Sequence, residues 1–144
     1  MPSFVAEASR RIPGTPEALF GRLADYGSWK AWMPSSFRPA GEPSGLLSMG
    51  RELRVHIQGM PGVAKIQVSA FQTPREIAWT GGRRGLLAAE HRFVFDGDGQ
   101  GGTMVRSIET WSGALAPLLR RFVKPRAERI GEQQLEGLAR SLSA

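Results

Sequence analysis

From residue 53 the chain alternates apolar and polar residues through several successive short runs; after Leu115 the period changes to that of a helix and holds to Leu142. Leu53, Val55 and Ile57 alternate with Arg54, His56 and Gln58, and Ala64, Ile66, Val68 and Ala70 alternate with Lys65, Gln67 and Ser69. Ile77 and Trp79 mark a third strand, after the turn at Thr73-Pro74-Arg75. Glu90 to Phe95 and Met104 to Trp111 flank the glycine-rich tip Asp96 to Gly102 and read as a hairpin. Strands joined by short turns pair antiparallel, and a sheet with one apolar face needs a cover. The only element large enough to supply it carries Leu115, Leu118, Leu119, Phe122, Ile130, Leu135, Leu138 and Leu142 on one stripe. A curved sheet closed by a single helix leaves space between the two, so a cavity is expected. Pro125 falls inside the helical pattern and is expected to kink or break it, because it removes a backbone donor.

The first fifty residues supply the remaining elements. Phe4 to Ile12 alternates like a half-buried strand, with Phe4, Ala6 and Ala8 on one face, and Pro13-Gly14 ends it. Thr15-Pro16-Glu17 starts a helix with a hydroxyl cap, a proline at the first position and a carboxylate near the positive end. Ser28 is placed to cap a second short helix, Trp29 to Trp32, and residues 35–50 read as a loop.

Composition narrows the chemistry. With no cysteine, disulfides, thiolate metal sites and a cysteine nucleophile are excluded, and two histidines make a transition-metal site a poor reading. No cofactor is implied. The net charge of +6 comes from arginines scattered in pairs at most, with no basic run, so nucleic acid is not expected as a partner. No targeting segment and no bilayer-length apolar run is present, so the expectation is a cytoplasmic domain without stable membrane insertion, monomeric or homodimeric. The tip from Asp96 to Gly101 resembles the start of a calcium loop, but Ser107 stands where such loops need glutamate, so it reads as a flexible turn. Gly81 to Gly85 lacks the lysine and the strand-to-helix setting of a phosphate loop and is also read as a loop, and His56 reads as solvent-facing.

Several segments, in order, resemble one family. Ile12-Pro-Gly-Thr-Pro-Glu17, Leu23-Ala-Asp25 and Trp29 to Pro34 are similar to the opening of the START-like (SRPBCC, birch-pollen-allergen-like, helix-grip) superfamily in its polyketide cyclase/dehydrase-like branch. Pro74 to Trp79, Glu90-His-Arg-Phe-Val-Phe95, Gly101-Gly-Thr103 and Glu109 to Gly113 are similar to its later motifs, so the resemblance spans nearly all of residues 1–144, read as one domain. It implies an α+β helix-grip fold: a curved, seven-stranded antiparallel sheet around the C-terminal helix, two short helices after the first strand, and a cavity for a lipid, polyketide-like or other apolar molecule. It does not fix an activity.

Strand parity turns His91, Phe93 and Phe95 inward and sets His91 across from Ser107 or Glu109, so the inward set on the next strand is Val105, Ser107, Glu109 and Trp111, with Ile108 outward. The expected ligand-binding residues are Trp79, His91, Phe93, Val105, Glu109, Trp111, Leu118, Phe122 and Ile130. In a carrier or sensor, the apolar members supply affinity, and His91 with Glu109 orients one polar end of a small apolar or amphipathic ligand. The alternative is a cyclase or dehydratase using His91 and Glu109 as an acid–base pair. A third reading is a protein-docking module with a filled core and a contiguous surface patch. Trp79 and Trp111 read equally as cavity wall or core; Trp29 and Trp32 read as packing the short helix onto the sheet.

Overall fold

The computed structural model describes residues 2–143. Strand β1 (Pro2–Pro13) leads into helix α1 (Pro16–Ala24), a single 3-10 turn (Tyr26–Ser28) and helix α2 (Trp29–Trp32). Strands β2 (Phe37–Pro39), β3 (Glu52–Ile57), β4 (Ala64–Gln72), β5 (Glu76–Arg83), β6 (Leu87–Gly97) and β7 (Gly102–Ser112) follow, and helix α3 (Ala116–Ser143) ends the described chain. Among these residues the seven strands form one antiparallel sheet in the order β1-β7-β6-β5-β4-β3-β2, with β1 returned to the far edge beside β7. This is the α+β helix-grip fold: the sheet curves around α3, and α1 and α2 fill one end.

The alternating pattern is realised as a two-faced sheet. Phe4, Ala6, Ala8, Leu53, Val55, Ile66, Val68, Ile77, Trp79, Phe93, Phe95 and Val105 turn into the core, against Leu135 and Leu138 of α3. Thr15 caps α1 as expected: its Oγ1 accepts from the Ala18 N–H at 3.1 Å. Ser28 does not cap α2. Its hydroxyl donates back to the Asp25 carbonyl at 2.7 Å and accepts from the Trp32 Nε1–H at 2.9 Å, pinning the short helix by its indole.

Four other expectations are corrected. Phe37–Pro39, read as loop, forms a short edge strand on β3; three residues are too few to show alternation, and an edge tolerates proline. Gly81 to Arg83, also read as loop, continues β5. At Gly81 a Cβ would stand 3.0 Å from Ile66 Cγ2 and 3.2 Å from the Lys65 carbonyl, so glycine here permits a close cross-strand approach. Pro125 does not break α3, which runs on as one helix. Both Pro125 and Arg121, the residue four positions earlier whose carbonyl loses its partner, are exposed to solvent, so water can serve the freed oxygen. The hairpin tip, read as flexible, is braced: Asp98 Oδ1 accepts from the N–H groups of Gln100 (2.7 Å) and Gly102 (3.1 Å), and Oδ2 accepts from Arg11 Nε (2.7 Å).

The aromatic residues of α2 join the helical end to the sheet. Trp29 is fully buried, its Nε1–H donates to the Leu23 carbonyl at 2.8 Å, and its ring lies 5.5 Å from Trp79 and 6.2 Å from Phe37. Trp29→Ala should cost about 3–5 kcal/mol, since truncating a buried aromatic leaves a cavity as well as losing transfer energy. Thermal denaturation should show Tm falling by on the order of 10 °C. A fall under about 2 °C would show that α2 is not needed to hold the sheet.

Candidate functional site

Register decides what the inner face presents. One row across the sheet runs Val68, Trp79, His91, Glu109, Ala6; the neighbouring row runs Ile66, Gly81, Ala89, Trp111, Phe4. Where the first row carries large rings, the second carries glycine and alanine at its centre. The missing side-chain volume at Gly81 and Ala89 is not refilled by α3, and a hollow of about 110 Å³ remains. Phe37, Ile57, Met60, Ala64, Ile66, Leu87 and Ile130 complete its largely apolar wall, with Trp79, Trp111, His91 and Glu109.

A polar line lies in this wall. His91 pairs across the ladder with Glu109, the second of the two expected partners. His91 Nδ1 stands 3.6 Å from Glu109 Oε2, outside direct hydrogen-bond range, while Nε2 and the Ser107 hydroxyl share a hydrogen bond of 2.7 Å. Glu109 Oε1 accepts from the Trp111 Nε1–H at 2.8 Å. Ring packing holds the imidazole in place: Phe93 stacks on it at 4.5 Å and Trp79 meets it edge-on at 5.2 Å.

Burial sets the charge of both groups. Enclosed by rings, His91 is pushed down to about 3, so it stays neutral at physiological pH. Desolvation raises Glu109 to about 7, and the indole donor from Trp111 offsets only part of that rise. The pair is therefore not a buried ion pair. It is a neutral imidazole beside a carboxyl that changes charge near neutrality.

The expected site residues divide. Trp79, His91, Glu109, Trp111 and Ile130 line the hollow together. Phe93 and Val105 are buried but lie outside its wall: Phe93 supports His91 from beneath, and Val105 packs in the core. Leu118 and Phe122 are corrected outright, being 72% and 67% exposed on the first turns of α3. The apolar stripe there faces away from the sheet, because the buried side of α3 runs instead through Ala116, Ala127, Ile130, Gln134, Leu135 and Leu138. His56 is half-buried rather than solvent-facing. Ser107, expected to face inward and named as an alternative partner of His91 but left out of the ligand-binding set, is the residue that hydrogen-bonds the imidazole, while Gly81 and Ala89 were missed. A larger hollow of about 670 Å³ lies on the opposite face of the sheet, between Glu52, Lys65, Gln67, Thr80, Arg84, Glu90 and Thr110. It is open and polar, so it offers a molecule no more shelter from water than a surface trough does.

Comparison with known proteins agrees with this fold. The family model described as "Polyketide cyclase / dehydrase and lipid transport" matches residues 3–143, and the chain belongs to that family. No curated protein matches it. Among solved structures it is similar to hypothetical protein jhp0584 from Helicobacter pylori (TM-score 0.76, 15% identity, covering 97% of this chain and 88% of that one). It is also similar to protein MLL2253 from Mesorhizobium loti (0.74, 20%, 97% of each chain) and to a START superfamily protein from Mycobacterium smegmatis (0.73, 17%, 96% and 97%). At such identities the likeness is one of fold.

The two shifts give opposite pH dependences. Folded Glu109 keeps its proton up to about 7, whereas an unfolded glutamate loses it near 4.5, so stability falls as pH rises through that window. His91 acts the other way: the unfolded imidazole takes a proton near 6.5 and the folded one only near 3, so stability falls as pH drops from 6.5. Glu109→Gln should therefore gain on wild type between about pH 5 and pH 8 by on the order of 2 kcal/mol. His91→Phe should lose the acid limb. Urea unfolding across pH reads both, and parallel pH profiles for wild type and variants would contradict the assigned charge states.

Proposed function

We propose that this member of the polyketide cyclase/dehydrase and lipid transport family binds a small, mostly apolar molecule in the hollow between sheet and α3, as a carrier or sensor. The observation that carries the reading is a mostly apolar hollow whose wall includes a polar line, His91, Glu109 and Trp111, with Ser107 behind it holding the imidazole. Apolar walls provide affinity, and a few placed polar groups select orientation.

Size and charge narrow the ligand. About 110 Å³ has room for on the order of one six-membered ring, by analogy with apolar protein cavities that take benzene. A longer molecule would leave its tail in the mouth. A ligand hydroxyl or carbonyl can hydrogen-bond with the neutral carboxyl of Glu109 or with the imidazole. A ligand carboxylate meets a second carboxyl in a desolvated site and is disfavoured increasingly as Glu109 ionises above pH 7.

A second reading rests on Glu109 being held near 7, where a group can both give and take a proton at physiological pH. In a cyclase or dehydratase, Glu109 would move the proton. His91, neutral and tied to Ser107, would orient the substrate rather than act as acid.

The test is a thermal-shift screen with single-ring alcohols, ketones and carboxylates of matched shape, on wild type, Ala89→Leu, His91→Phe and Glu109→Gln. Alcohols and ketones should raise Tm by a few degrees, as saturating binding to the folded state does. Ala89→Leu should fold normally and show no shift, its side chain filling the hollow. His91→Phe should move preference toward rings without polar groups. Shifts that survive Ala89→Leu unchanged would place the ligand elsewhere. For the second reading, Glu109→Gln should keep the shift and lose turnover of a ketone substrate.

A further inference from the structure

The cations that look scattered in sequence gather at one end of the fold. Residues 58–63 (the β3–β4 turn), 83–87 (the β5–β6 turn) and 114–129 hold Arg83, Arg84, Arg120, Arg121, Lys124, Arg126 and Arg129 against the single carboxylate Glu128. That excess of +6 equals the formal net charge of the whole chain, so the remainder of the protein is balanced.

These segments meet around the mouth of the hollow. Gly85 and Leu86 accept hydrogen bonds from the N–H groups of Ala114 (3.0 Å) and Leu115 (2.9 Å), tying the β5–β6 turn to the start of α3. Arg126 packs its guanidinium into the space that a side chain on Gly59 would fill, and Arg129 lines the same crevice, so this part of α3 adjoins the β3–β4 turn. Leu118, Phe122, Arg126 and Arg129 fall on one helical stripe, so Phe122 and Leu118 project toward the same side as Arg126, one and two turns respectively nearer the β5–β6 turn. Met60 and Leu87, from the two turns, line the hollow itself.

The rim is apolar as well as basic. Met60 (47% exposed), Val63 (48%), Leu86 (40%), Leu118 (72%) and Phe122 (67%) stand out from three separate segments around one opening. A cluster of exposed large apolar side chains of this kind marks an interaction surface. Arg126 and Arg129 share the stripe of Leu118 and Phe122, and Arg121 adjoins Leu118 one turn on, whereas Arg84 lies on the outer face of the sheet and Arg120 and Lys124 on another side of α3. Cations beside aliphatic and aromatic tips match a surface that offers phosphate and hydrocarbon together. Nucleic acid would leave the protruding leucine and phenylalanine in water.

We infer that this rim docks on an anionic lipid bilayer, setting the mouth of the hollow against the hydrocarbon from which an apolar ligand would enter or into which it would leave. Among the described residues no helix is long and apolar enough to cross a membrane, so the contact is peripheral. The inference extends the proposed ligand-binding function, but it can fail separately, because the variants below lie outside the wall of the hollow.

The experiment is flotation with vesicles of phosphatidylcholine alone and of phosphatidylcholine containing about one-third phosphatidylglycerol. Wild type should bind only the mixed vesicles, and less as salt is raised. The double variants L118S/F122S and R121E/R129E should each lose about tenfold or more in vesicle affinity, while Tm and ring-compound thermal shifts stay as in wild type. No binding to mixed vesicles, undiminished binding by L118S/F122S, or tighter binding of a DNA duplex than of vesicles would each overturn the inference.

Discussion

The indole of Trp79 touches four other rings, those of Trp29, Phe37, His91 and Phe93, all with centroids within 6 Å. Through these contacts α2, the edge strand β2 and the middle of the sheet become one packed body. The same contacts strip water from His91, which is why its imidazole stays neutral and can serve as a fixed hydrogen-bonding group. Two residues further along each strand, at the next inward pair, the inner face changes from rings to Gly81 and Ala89, and the packing stops. The hollow is the consequence of that change, and its polar line is the last row of the cluster exposed to it.

Glu109 occupies the boundary between these two regimes. On one side it faces the imidazole; on the other, the Trp111 indole holds its second oxygen. Its own cross-strand neighbour on β1 is Ala6, too small to shield it or to pair with it. Burial without a compensating cation leaves the carboxyl near neutrality in its titration. A positive partner there would have made a permanent ion pair and a poor site for a mainly apolar molecule. On the proposed reading the arrangement would favour uncharged polar ligands and give the site a dependence on pH that a purely apolar hollow would lack.

Much of the fold was legible because the period of the sequence changes only once after the short helices. Alternation from Leu53 onward gave the inward faces, and the inward choice of His91 over Glu90 followed from two polar neighbours on the other face. The short strand at Phe37 and the continuation of β5 through Gly81–Arg83 were not legible, since three residues carry no period and glycine signals a turn and a close approach alike. Leu118 and Phe122 show the sharper limit. Their spacing continues an apolar helical stripe, but spacing cannot say that the buried side of the helix there runs through Ala116 and Ala127 instead and leaves those residues to solvent. The gathering of the arginines was invisible for the same reason: the β5–β6 turn and the first half of α3 are distant in sequence and meet only after folding.

The central claim is that the hollow bounded by Trp79, His91, Glu109, Trp111 and Ile130 is where a ligand sits. Isotope-filtered nuclear Overhauser contacts between an unlabelled ring alcohol and the labelled protein test it directly. The account predicts contacts from the ligand ring to the Ile130 and Ala89 methyl groups and to the Trp79 and Trp111 indoles, with the hydroxyl end nearest Glu109. Contacts confined to Thr80, Ala88 and Thr110, on the opposite face of the sheet, would contradict it.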